Sequence, residues 1–149
     1  MLEKIERDLK AALLAGDKSK TEVLKGVKNA IQYEAVNSGS RESGLNEEQI
    51  QKVLVREAKK RQEAAELYKN ANEPERQMKE EQEKEIIDSY LPEKISEDDI
   101  KKAVVEEVTK LEAPTVKDMG RIIGQVKAKL GAGADGAVIA RLTKEALGQ

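Results

Sequence analysis

The sequence contains no cysteine and no histidine among its 149 residues. Without cysteine the chain has no disulfide, no thiol nucleophile and no thiolate metal ligand. Without histidine it lacks the commonest general base and the commonest side-chain ligand of transition metals. A zinc or iron site would need carboxylates alone, a ligand set that these metals rarely have in proteins. We therefore expect no metal and no cofactor.

Phenylalanine and tryptophan are also absent, and the only aromatic residues are Tyr33, Tyr68 and Tyr90. The core must therefore consist of aliphatic side chains. No segment approaches the roughly 20 apolar residues that a membrane-spanning helix needs. The N-terminal residues 1–17 alternate in charge and contain no apolar run of the signal-peptide type. These features predict a protein of the cytoplasm, or of an organelle matrix after import, with no membrane partner.

The residues that dominate the chain are alanine, leucine, glutamate, lysine and glutamine, all of which favour helices. No segment alternates between apolar and polar residues in the way a half-buried strand does. The sequence therefore predicts an all-α fold. Proline residues fall between the periodic segments, and Pro92 follows the last helix of a first group. We expect a helical N-terminal domain over residues 1–91 and a second domain over residues 92–149.

Apolar residues at helical spacing predict four helices in the first domain. Two helices cover residues 2–15 and 18–36, a third is capped by Asn46 and ends near Ala71, and a fourth covers residues 75–90. Gln49 stands at the third helical position, as in a capping box. The third and fourth helices are rich in glutamate and lysine and have few apolar anchors. We expect them to form a long charged hairpin.

The second domain has three short apolar periodic segments, each preceded by a residue that caps helices. The predicted caps are Ser96, Thr115 and Asp135. Three helices over a stretch of this length suit a small antiparallel three-helix bundle.

The clearest positive excess of the chain lies in residues 113–149, which hold six Lys/Arg against three Asp/Glu, although the whole chain has a net charge of −2. A local excess of this kind is the electrostatic signature of phosphate binding. The six cations and two glycines of this stretch are the candidate residues of a nucleic-acid-binding surface. Its residues are Lys117, Gly120, Arg121, Gly124, Lys127, Lys129, Arg141 and Lys144.

Gly120 and Gly124 stand inside a predicted helix, where each glycine costs about 1 kcal/mol relative to alanine. Their spacing places them on one flank of the helix, beside its apolar stripe. Two explanations remain open. The glycines either permit a tight crossing with another helix of the bundle, or they leave a smooth basic surface that a phosphate backbone can approach.

A second polar group lies on the predicted third helix and includes Arg56, Lys60 and Arg61. Arg61 falls near the apolar stripe together with Glu57, so both side chains need partners. Glutamates 34 and 85 of neighbouring helices are candidates for that role. The group is either a structural ion network or a second polar binding site.

Motifs for catalysis and nucleotide binding are missing. Residues 131–136 are rich in glycine, but they follow a helix and lack the Lys-Ser/Thr pair of a phosphate-binding loop. A connector with a helix stop and an Asp135 cap explains them. No nucleophile has a candidate base beside it. We therefore predict no catalytic residues.

Five ordered segments resemble the YqeY family, the small proteins with a GatB/YqeY domain. The segments are residues 24–31 (LKGVKNAI) with Glu34, residues 53–63 (VLVREAKKRQE), Tyr90-Leu91-Pro92 with Ser96-Glu97, Met119-Gly120-Arg121, and Ala134-Asp135-Gly136. Each motif is weak alone, but the ordered set spans nearly the whole chain. The resemblance implies an all-helical protein with a helical N-terminal domain and a three-helix C-terminal domain.

The C-terminal domain resembles the tail of GatB, a subunit of the glutamine-dependent amidotransferase that acts on charged tRNA. In that enzyme the tail is associated with holding tRNA, and other domains do the chemistry. The resemblance therefore implies an accessory tRNA-binding role, with a family-level relation to carbon–nitrogen ligases that use glutamine as amide donor. The chain departs from the family pattern at Gly133, where a basic residue is common, and at Arg121, which replaces a more usual lysine.

Two other functions remain open. The chain could be a protein-interaction module that docks on an amidotransferase or another translation component through the charged hairpin. It could also be an enzyme in its own right, which the missing nucleophile and base disfavour.

Overall fold

A computed structural model describes residues 1–148 as helices joined by turns and short loops, with no strand among them. The all-α prediction is confirmed. The seven α-helices are α1 (Leu2–Ala15), α2 (Lys18–Asn37), α3 (Glu47–Asn70), α4 (Pro74–Asp88), α5 (Glu97–Thr109), α6 (Met119–Leu130) and α7 (Gly136–Ala146). None of these helices is long and apolar enough to cross a membrane.

Local capping interactions start several helices where the sequence predicts. Asn46 and Gln49 form a capping box, because the Asn46 side chain accepts from the Gln49 amide at 2.9 Å and the Asn46 amide donates to the Gln49 side chain at 2.9 Å. Ser96 accepts from the Asp99 amide, and Asp135 from the Ala137 amide. Each bond satisfies an amide that the first turn of a helix leaves without a partner.

Two helix boundaries differ from the predictions by more than one residue. Thr115 precedes a short 3-10 turn, Val116–Asp118, and α6 itself begins only at Met119. Helix α4 ends at Asp88, two residues before the predicted Tyr90. Residues 89–91 form a tight turn instead, in which the Tyr90 amide donates to the Ile87 carbonyl and the Leu91 amide to the Asp88 carbonyl.

The chain divides into two compact units, of which one spans Met1–Leu91 and the other begins at Pro92. The first unit packs α1, α2, α3 and α4 around an aliphatic core. Its most buried large side chains are Ile5, Leu24, Val27, Val53, Leu54 and Ile87. Helix α3 has 24 residues and is therefore about 36 Å long, and it packs along α4 as the predicted charged hairpin.

The second unit packs α5, α6 and α7 around a separate aliphatic core. Its most buried large side chains are Ile100, Val104, Ile122, Val126 and Ile139. The segment before α5 is held against the α6–α7 connection, because the Ile95 amide donates to the Gly133 carbonyl at 2.8 Å. A Cβ atom at Gly133 would lie 2.5 Å from the Glu93 carbonyl oxygen. A side chain at Gly133 would therefore require the Glu93 backbone to shift.

Candidate nucleic-acid interface

Gly120 and Gly124 lie on an open flank of α6. The buried side of this helix is formed by Ile122 and Val126, whereas both glycines are exposed. A Cβ atom added to either glycine would meet no neighbouring atom within 4 Å. The alternative of a tight helix crossing at these glycines is therefore wrong for residues 1–148. The glycines leave the backbone of α6 accessible.

Four of the six predicted cations have no carboxylate within ion-pair distance among the described residues. They are Lys117, Arg121, Lys127 and Lys144, and all four are exposed. The aspartates closest to these cations in the sequence, Asp118 and Asp135, accept hydrogen bonds from backbone amides. Asp118 accepts from the Thr115 amide at 2.8 Å, and Asp135 caps α7.

Lys127 connects the open flank of α6 to α7. A Cβ atom at Gly136, the first residue of α7, would lie 3.0 Å from Cε and Nζ of Lys127. Gly136, Ala140 and Lys144 are spaced four residues apart and therefore share one stripe of α7. We define the α6–α7 face as the surface of Lys117, Gly120, Arg121, Gly124, Lys127 and Lys144.

The remaining two predicted cations are held by glutamates. The Lys129 ammonium pairs with Glu106 of α5. Arg141 pairs with Glu97 at the start of α5 and, at 3.0 Å, with Glu145 of its own helix. Hydrogen bonding to Lys129 lowers the pKa of the Glu106 carboxyl, and the bond to Glu97 raises the pKa of Arg141. These two cations therefore connect helices of the second unit and already have carboxylate partners.

Acidic and basic residues are distributed differently over the second unit. Its glutamates and aspartates lie mainly on α5 and the loops at both ends of that helix. On α6 and α7 the acidic residues are few and already bonded, so the α6–α7 face keeps four positive charges. A surface of this kind attracts a polyanion.

The two best-formed depressions on the surface of the described residues lie outside this face. The two best formed hold about 290 and 500 Å³, and both are wide open. One is lined by residues 73–76, and the other lies on α5 at Asp98, Lys101, Lys102, Val105 and Glu106. Among residues 1–148, no group of three or more acidic side chains is arranged to hold a metal ion.

The second predicted polar group, Arg56, Lys60 and Arg61, is paired throughout with glutamates. Arg56 bonds Glu34 at 2.7 Å, and Lys60 bonds Glu57 at 2.7 Å. The prediction of Glu34 as a partner of Arg61 is wrong, because Glu34 pairs with Arg56 instead.

Arg61 points towards α4 and meets two carboxylates there. Its Nη1 atom lies 2.9 Å from Glu83, whose side chain is only 6% exposed, and 3.2 Å from Glu80. The prediction of Glu85 as a partner is wrong, because Glu85 lies on the exposed side of α4. These contacts are those of a structural ion network.

Sequence reasoning did not identify Glu97, Glu106 and Gly136 as parts of the site. Glu97 and Glu106 lie 44 and 23 residues from the cations that they bind, and no local pattern joins them. Gly136 could have been noticed as the residue after a capping aspartate, but its contact with Lys127 depends on how α6 packs on α7.

Comparison with protein-family models finds one described as Yqey-like protein, which matches residues 2–147. The match covers α1 to α7 and therefore includes every residue of the α6–α7 face. No curated protein matches the chain at a significant level.

Proposed function

The chain belongs to the YqeY-like protein family, and from this premise we propose that it is an accessory RNA-binding protein whose ligand is tRNA. The proposal relates it to the GatB tail of the glutamine-dependent tRNA amidotransferase. It places the protein in the cytoplasm, where its ligand is found. The α6–α7 face is the proposed contact surface.

One observation carries the proposal. Four exposed cations without carboxylate partners in the described chain lie on α6, on α7 and in the turn before α6, and the flank of α6 at Gly120 and Gly124 is open. Lysine and arginine at such positions neutralise phosphates and release their counterions, which provides most of the affinity of sequence-independent binding. The glycines add access, because no side chain keeps the RNA away from the helix backbone.

The proposed role is binding alone. Transfer of an amide from glutamine needs an activated nucleophile with a base beside it, and the sequence offers no such pair. A partner enzyme would supply that chemistry, and this chain would hold or present the RNA.

A salt titration of tRNA binding by the full-length protein tests the proposal. With four phosphate contacts, the logarithm of the association constant should fall with the logarithm of the salt concentration with a slope of about −3 to −4. The triple variant Arg121→Glu, Lys127→Glu, Lys144→Glu should abolish most of the binding. No measurable binding at about 50 mM salt, where electrostatic binding is strong, would remove the proposal.

A matched control comes from the same unit. The variant Lys94→Glu, Lys101→Glu, Lys102→Glu changes the net charge by the same amount, but its residues are exposed and lie outside the α6–α7 face. It should retain most of the tRNA affinity. An equal loss in both triple variants would show that net charge alone determines binding, and that the α6–α7 face is not the site.

A protein-interaction module remains the second candidate, and one feature of the hairpin favours it. Leu67 on α3 and Met78 on α4 are 69% and 57% exposed. Methionine is enriched at protein–protein interfaces relative to the rest of a protein surface. This candidate predicts a co-purifying protein that survives nuclease treatment and is lost in the Leu67→Glu, Met78→Glu variant. Retention of that protein by the variant counts against it.

A further inference from the structure

We propose that the α6–α7 face binds the sugar–phosphate backbone of a base-paired RNA stem and does not read its base sequence. The inference rests on the proposed function and specifies which part of an RNA molecule the face recognises. Three features of the second unit support it: the chemistry of the polar groups, the distribution of aromatic residues and the shape of the surface.

The charged groups of the face are the ammonium groups of Lys117, Lys127 and Lys144 and the guanidinium group of Arg121. Contacts from such groups to phosphate oxygens position a protein on a nucleic acid but carry no sequence information. Each of these side chains is exposed and bonded to no carboxylate within residues 1–148. Long flexible side chains of this kind can follow phosphates on either side of a groove.

Aromatic side chains are confined to the first unit. Tyr33, Tyr68 and Tyr90 precede Pro92, and residues 92–149 contain no Phe, Tyr, Trp or His. Proteins that bind single-stranded RNA stack the unpaired bases on such side chains. The second unit therefore has no aromatic stacking platform, and Arg121 is the one guanidinium of the α6–α7 face on which an unpaired base could stack.

The shape of the face suits a helical groove rather than a single extruded base. The two best-formed depressions of the described surface lie elsewhere, on α5 and at residues 73–76. The minor groove of A-form RNA is wide and shallow and displays the 2′-hydroxyl groups, whereas its major groove is too narrow for side chains to read.

The two glycines fit this groove. Gly120 and Gly124 are one turn apart, about 6 Å along the axis of α6, and nothing in the described chain covers them. A smooth strip of backbone can therefore enter a shallow groove while the cations beside it reach the phosphates. This arrangement predicts binding through shape and 2′-hydroxyl contacts.

The test uses the full-length protein at a fixed low salt concentration and five RNA or DNA probes. Two are RNA hairpins with stems of about 16 base pairs and unrelated sequences, the length that a double-stranded-RNA module spans. The others are a single-stranded RNA of equal length, a DNA hairpin with the sequence of one stem, and a tRNA transcript. Competition against the labelled tRNA transcript gives the relative affinities.

The proposal expects the two RNA stems to bind within about threefold of each other. It expects the single-stranded RNA and the DNA hairpin to bind at least about tenfold more weakly, a factor equivalent to about 1.4 kcal/mol. The triple variant at Arg121, Lys127 and Lys144 should weaken the stems and tRNA in the same proportion. Any other ranking of the probes overturns the inference.

The outcomes separate this inference from the proposed function. If tRNA binds and neither stem binds, the inference is wrong and the RNA-binding function stands. If none of the RNA probes binds, the proposed function is wrong, and the inference is wrong with it.

Discussion

The Lys127 side chain lies over Gly136, so that a Cβ atom at Gly136 would be 3.0 Å from the Lys127 ammonium nitrogen. The contact joins the open flank of α6 to the first turn of α7. A positive charge at the N-terminus of a helix is electrostatically unfavourable, because the helix dipole is positive there. An anion bound beside Lys127 would relieve this repulsion, which is consistent with the proposed position of the phosphates.

Alanine substitutions at Gly133 and Gly136 should change the free energy of unfolding by different amounts. Gly133→Ala places a methyl group 2.5 Å from the Glu93 backbone oxygen. Because that backbone must move, we expect a loss of about 1–3 kcal/mol in the free energy of unfolding. Gly136→Ala meets only the flexible end of Lys127, and we expect a change below about 0.5 kcal/mol. Urea denaturation of both variants measures the two free energies of unfolding. The prediction is wrong if Gly136→Ala lowers the free energy of unfolding more than Gly133→Ala does.

Substitutions at Gly120 and Gly124 should stabilise the protein, whereas a large side chain there should weaken RNA binding. Alanine at either position meets no neighbouring atom, so each substitution should stabilise the protein by about 0.4–1 kcal/mol. Gly124→Leu keeps a good helix former but adds a side chain that holds RNA away from the backbone of α6. Its tRNA affinity should fall about tenfold, or 1.4 kcal/mol. Unchanged affinity in Gly124→Leu would show that RNA does not approach this flank.

Removing the carboxylate that holds Lys129 should strengthen RNA binding. In Glu106→Gln the Lys129 ammonium loses its charged partner, and the negative charge of α5 is reduced by one. The loss of this negative charge should raise the RNA affinity at low salt, because the second unit then repels a polyanion less. Glu47→Gln is the control, because Glu47 is an exposed glutamate of α3 and forms no ion pair within residues 1–148. A weaker affinity in Glu106→Gln would contradict the prediction.

The stabilising contribution of Tyr90 should decrease at high pH. Burial, and then a hydrogen bond to Asp8 at 2.6 Å, raise the pKa of the Tyr90 hydroxyl above its ordinary value of about 10. Above about pH 10 the unfolded chain loses this proton while the folded chain keeps it, so the contribution of Tyr90 is complete below that pH and declines above it.

The variant Tyr90→Phe isolates this effect. At about pH 8, below the ordinary tyrosine pKa, it should be less stable than the natural sequence by about 1–2 kcal/mol, because Asp8 loses its hydrogen-bond donor. The difference should narrow as the pH rises past about 10. Urea denaturation at several pH values measures both, and a difference that stays constant to about pH 11 would contradict the assignment of the shift to Tyr90.

The helices and their starts were largely predictable, because the interactions that set them are local. The Asn46–Gln49 capping box involves residues three apart. The predicted end of α4 differs from the observed one by two residues. Tyr90 lies in the turn after the helix, and its hydroxyl donates to Asp8, 82 residues away in the sequence, a contact that no local pattern could show.

The sequence by itself determined the helical fold, the aliphatic cores and the excess of positive charge after residue 112. Helix propensity, apolar spacing and capping act over about four residues, and composition needs no structure at all. Only the tertiary structure decided which cations are free. Lys129 and Arg141 are neutralised by glutamates of α5, whereas Lys117, Arg121, Lys127 and Lys144 are not bonded to a carboxylate in the described chain. It also decided that the flank at Gly120 and Gly124 is open, because the exposure of a helix flank depends on how the helices pack.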